Sequence, residues 1–173
     1  VLREPSFPEN EFAQLKQAQL AGLENQKSEP AAIANIAMQR HLAPYPQGHV
    51  RYVPTLDEQI AATTAATLEQ VQAFHRDFYG AGNAQVTIIG DFDPVAVRRQ
   101  IEELFGDWKS PSKYERIAED YQPVPAREET IATPDKANAV YLPGYGFAMR
   151  DNDPDYPAIA IGGYMLGGGF LNS

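Results

Sequence analysis

The chain has 173 residues, 43% of them hydrophobic, which is enough to bury a core as one domain or as parts of two. Fourteen Lys and Arg stand against 23 Asp and Glu, giving a net charge of -9 with no basic cluster, so nucleic acid and anionic membranes are poor partners. With no cysteine, disulfide frameworks and thiolate metal sites are excluded, and no apolar run is long enough to cross a bilayer.

After Pro8, apolar Phe12, Leu15 and Leu23 mark one face of a first helix, and Gln19 falls on the same stripe, turned inward. Ser28-Glu29-Pro30 starts a second helix through Ile33, Ile36 and Ala37 to Leu42, which Pro44, Pro46 and Gly48 break. Thr55-Leu56-Asp57-Glu58 and Thr67-Leu68-Glu69-Gln70 both have the capping-box form and each predicts a helix start. The second of these carries Leu68, Val71, Phe74 and Phe78 at helical spacing. Ala84 to Ile89, β-branched and bounded by Gly90, predicts a buried strand whose amides from Val86 to Ile89 exchange slowly.

Asp93-Pro94 caps a further helix through Val97, Ile101, Leu104 and Phe105. Residues 110–126, with Pro111, Pro123 and Pro125 and no helical or strand period, predict a connector. Beyond it, Glu128 to Thr133 and Ala137 to Leu142 predict strands, and Asp153-Pro154 predicts the cap of a last helix ending at Gly167-Gly168-Gly169. The expected fold class is α+β, an antiparallel-rich sheet covered by helices. Val1 at one end and Leu166 to Ser173 at the other mark the chain as a piece of a longer protein.

The chemistry-bearing residues are sparse. His41, His49 and His75 have no spacing that places two ligands on one helix face, so no metal site is expected in this chain, and His75 is expected to pack among apolar neighbours. Asp151 to Asp155 begins like a calcium loop, but Tyr156 stands where the turn needs glycine and Gly162 where a glutamate must close the cage. Asp91 and Asp93 suit turn and cap chemistry, and neither glycine cluster has the Lys-Ser/Thr or third glycine of a phosphate-binding loop. No catalytic residue is expected.

Taken in order, Phe7-Pro8, Glu11-Phe12, Leu15-Lys16, Ala73-Phe74-His75, Phe78-Tyr79-Gly80, Asn83-Ala84, Gly90-Asp91-Phe92-Asp93, Phe105-Gly106-Asp107-Trp108 and Leu166-Gly167-Gly168-Gly169 form a series. It resembles the insulinase/pitrilysin family of zinc metallopeptidases, which includes the mitochondrial processing peptidases. The resemblance implies paired half-units. Residues 1–109 would be the later part of a first half, 110–126 the connector, and 127–173 the start of a second half.

The family's His-x-x-Glu-His motif, whose histidines bind zinc and whose glutamate activates the zinc-bound water, is absent from this chain and would precede Val1. The third-ligand glutamate aligns with Gln19, a neutral amide unable to offset the ion's charge, with Glu24 as the alternative register. By resemblance, then, the chain is a piece of a non-catalytic unit of a peptidase that requires zinc as its cofactor. Its partners would be the peptide or protein substrate and the remaining half-units, with homodimerisation of the piece through its unfinished sheet. A structural or assembly subunit without proteolytic activity is the alternative, and bacterial members of the family suggest a periplasmic home. Phe74 and Trp108 are expected in the core, where truncation to alanine costs about 3 to 5 kcal/mol.

Overall fold

A computed structural model describes residues 2–168. Six α-helices follow in order: α1 (Glu9–Gln26), α2 (Pro30–Leu42), α3 (Leu56–Ala65), α4 (Leu68–Phe78), α5 (Pro94–Phe105) and α6 (Tyr156–Gly163), the last running into a π-helical turn, Tyr164–Gly168.

The helix starts are those that the caps dictate. Thr55 and Thr67 accept hydrogen bonds from the Glu58 and Gln70 amides, and both capping boxes close through the N3 side chain. At α5 the Asp93 carboxylate accepts from the Val95 and Ala96 amides, with Pro94 at the first position. The last helix departs from expectation: the Asp153 carboxylate accepts from the Asp155 amide at 2.9 Å, forming an Asx turn, and the helix begins at Tyr156.

The packed centre lies between α1 and α3. Lys27 near the end of α1 pairs with Asp57 at the start of α3 at 2.9 Å, and Lys16 donates to the Thr64 and Ala66 carbonyls at 2.7 and 2.8 Å. The helices are thus antiparallel, with a lysine closing the C-terminal carbonyls of α3. Leu23 is the core residue at this seam, 3% exposed. The face that α1 turns inward includes Phe12, Lys16, Leu20 and Leu23, whereas Leu15 is 70% exposed.

The α+β expectation is overturned. Among the described residues there is no strand and no sheet. Ala84–Ile89, Glu128–Thr133 and Ala137–Leu142 carry strand-favouring side chains, but none meets a second segment with which to form a ladder. Strand propensity expresses fit to a paired, half-buried surface, and without a partner it does not fix secondary structure. Thr133–Lys136 closes a turn, the Lys136 amide donating to the Thr133 carbonyl at 3.0 Å, yet the two flanking segments do not pair.

Burial is shallow elsewhere too. The accessible surface is 14247 Å², whereas a compact monomer of 19.1 kDa exposes about 8,400 Å². Phe74, expected in the core, is 56% exposed, and Val71 and Phe78 on the same side of α4 are also open. Trp108 is half-buried. Gly80 lies where α4 crosses the start of the connector: a Cβ there would collide with the main chain of Lys109 and Ser110. The crossing is held by hydrogen bonds from the Ala81 amide to the Trp108 carbonyl at 2.7 Å and from the Ser112 amide to the Asp77 carbonyl at 3.2 Å.

Candidate functional site

Gln19 and Glu24, the two residues that sequence places at the third-ligand position, are both exposed on α1. Gln19 is therefore not turned inward, and the Glu24 carboxylate faces the Lys27 ammonium at 3.7 Å. Among the described residues no group of three or more His, Asp or Glu is able to hold a metal ion. One exposed amide and one lysine-paired carboxylate do not fit a zinc site, because the ion needs convergent ligands. No step of a reaction is assigned to them.

The three histidines stay apart in function. On α4, His75 is the centre of an aromatic group: its ring meets Phe7 edge-on at 5.6 Å, Tyr79 at 4.8 Å and Trp108 at 6.3 Å, while Nε2 contacts the Leu2 carbonyl at 2.8 Å. Phe7 enters this group with φ of 47°, a left-handed conformation rare for a bulky side chain. His75 is thus a packing residue joining the N-terminal segment to the α4–α5 region. In the loop after α2, His49 stacks on Tyr45 at 4.4 Å, and on α2 itself His41 Nε2 lies 2.8 Å from the Pro125 carbonyl.

The most developed polar site joins α2 to α3. The Tyr52 hydroxyl donates to the Glu58 carboxylate at 2.8 Å and accepts from Arg40 Nη1 at 3.1 Å, and Arg40 also donates to the Val53 carbonyl. Its guanidinium lies over the Tyr52 ring at 5.2 Å. The Thr55 amide, then the Tyr52 hydroxyl, hold the Glu58 carboxyl below the usual carboxylate range. Its folded pKa being depressed, Glu58 contributes stability above the ordinary value of about 4.3, and that contribution is lost as pH falls through the folded pKa. Glu58→Gln should flatten the acid limb of urea-unfolding stability, while Thr55→Ala should cost about 1 kcal/mol at neutral pH. An unchanged acid limb would remove Glu58 from this role.

Beside this network a cleft of about 1160 Å³ runs between α2 and the residues around Pro123 to Pro125. Ile33, Ile36 and Ala37 of α2 form one wall, with Tyr45 and Tyr52 at the side. Arg51, from the loop between α2 and α3, reaches residues 66 and 67 positions away. Its Nε and Nη2 donate to the Ala118 and Ile117 carbonyls at 2.6 and 3.0 Å, and its Nη1 lies 3.4 Å from the Glu119 carboxylate. Further along, Lys136 meets the Glu29 carboxylate at 2.7 Å, which raises the lysine's pKa. Residues 117–136 are thus held on α2 and its flanking loop by side chains alone. Sequence gave no signal for Arg51, a lone basic residue in a loop whose partners are distant in the chain.

A helical frame with no metal ligands and a large uncovered apolar surface has the character of a unit that completes another. The family model described as the Peptidase M16 inactive domain matches residues 65–173, and the chain belongs to that family. No curated protein and no solved structure matches it. The resemblance to insulinase-type peptidases, and to a non-catalytic unit of one, is thereby borne out.

Proposed function

We propose that this chain serves a zinc-dependent peptidase as part of its non-catalytic unit, supplying shape and enclosing the peptide substrate while zinc and its ligands lie in the partner unit. The observation that carries this reading is the surface. An accessible area of 14247 Å² is roughly 1.7 times that of a compact monomer of this mass, and its uncovered side chains include Val71, Phe74, Phe78, Ile89 and Leu104. Apolar area on this scale marks contact with further polypeptide.

The test is hydrolysis by the zinc-bearing unit with and without this chain. Long peptides should be cleaved only when both are present, because enclosure acts on substrate that extends beyond the reacting bond. Equal cleavage of long peptides without this chain would overturn enclosure, and a parent with no hydrolysis at all would replace it with an assembly role.

A further inference from the structure

The cleft on α2 already holds a length of extended polypeptide, and the way it does so is general. Of the contacts that Arg51 and His41 make to this segment, three go to main-chain carbonyls: Ile117, Ala118 and Pro125. The remaining one is the ion pair of Arg51 with Glu119. A planar guanidinium offers several donors in a fixed fork, which suits two successive carbonyls and a neighbouring carboxylate together. Arg51 is also the least exposed cation among the ion pairs of the described residues, at 26%. It is therefore shielded enough for its bonds to count.

From these contacts we infer that the α2 face is a binding groove for an extended acidic polypeptide, read by its backbone, and that residues 117–125 occupy it as a tethered competitor. The required ligand chemistry is that of the segment now seated there: free carbonyls, one carboxylate opposite Arg51, and proline a few residues on, since proline favours the extended backbone and needs no amide partner. Three features agree with replaceable occupancy. The segment has no helix or strand of its own, its Pro123 and Pro125 side chains are exposed, and the cleft beside it retains about 1160 Å³ of open space. For the purpose of the groove this inference rests on the enclosure reading, but the binding itself does not.

The test uses the full chain and a dye-labelled synthetic peptide of residues 115–127, followed by fluorescence anisotropy. In the wild type the tethered copy competes at high effective concentration, so binding is weak. Glu119→Arg in the protein places like charges together and frees the groove, and should tighten peptide binding by about tenfold or more. Adding Arg51→Ala to that variant should undo the gain by about tenfold, with His41→Ala giving a smaller loss. Unchanged far-UV circular dichroism shows that each variant keeps its helices.

A peptide keeping only the first two glutamates and the two prolines, with alanine elsewhere, should bind within about threefold of the parent peptide, as backbone reading requires. Equal affinity of Glu119→Arg with and without Arg51→Ala would overturn the inference, as would loss of binding by the alanine peptide. So would self-association of Glu119→Arg, seen by sedimentation, that excludes the peptide, because a second copy would then be the occupant. None of these results depends on hydrolysis, so failure of the groove and failure of enclosure are read separately.

Discussion

Leu23→Ala should lower the stability of this chain by about 2 to 5 kcal/mol, a larger loss than any other single truncation of an aliphatic side chain among the described residues. Leu23 is 3% exposed and sits where α1 crosses α3. Removing its isobutyl group forfeits the transfer energy of the lost carbons and leaves a cavity that the seam cannot fully close. The seam is pinned on both sides by Lys27 with Asp57 and by Lys16 on the last carbonyls of α3. Those bonds resist the collapse that would shrink the void. Leu15→Ala, eight residues earlier on the same helix but 70% exposed, should change stability by no more than about 0.5 kcal/mol. Urea unfolding followed by helical circular dichroism compares the two directly. A larger loss for Leu15→Ala would reverse the inward face of α1.

Amide exchange should separate the helices from the β-prone segments by orders of magnitude. Val86 to Ile89 and Val140 to Leu142 make no ladder hydrogen bonds, so their amides should exchange at nearly the rate of an unstructured peptide. In α1 and α3 each interior amide is bonded within its helix and the pair shares the packed seam, so exchange there waits for the seam to open. Val86 to Ile89, expected from sequence to be slow, should thus be as fast as the later segment. Protection at Val86 to Ile89 equal to that of α1 would mean that this segment has found a strand partner, and would contradict the helical architecture described above.

What the sequence made legible was chemistry that closes within a few residues. Thr55 with Glu58, Thr67 with Gln70, and Asp93 with Val95 each complete their bonds inside one turn, so local pattern was enough to place three helix starts. Facing was harder to read. On α1 the apolar spacing favoured Leu15, but burial depends on where α3 lies, and the inward face instead includes Lys16, whose ammonium the end of α3 requires. Strands failed for the same reason, since their stability belongs to a pair of segments. The family was readable because it rests on an ordered series of short phrases, whereas Gln19 at the ligand position could be aligned but not oriented, and proves exposed. The Arg51 clamp links residues more than sixty positions apart, and no spacing rule reaches across that gap.

Gly80 gives the surface of this chain an unexpected point of intolerance. Most positions this open accept a methyl group without cost, but here the space is taken by the backbone of Lys109 and Ser110, which cannot rotate aside as a flexible side chain would. In a survey of random variants, even alanine at this position should therefore be depleted, while nearby Gly82, with nothing close to its missing Cβ, should accept many residues. The exclusion acts on the route of the chain as it leaves α5. Lineages of this protein can drift freely in the length and composition of the segment beyond Ser112, provided that the strand of backbone passing over Gly80 keeps its track.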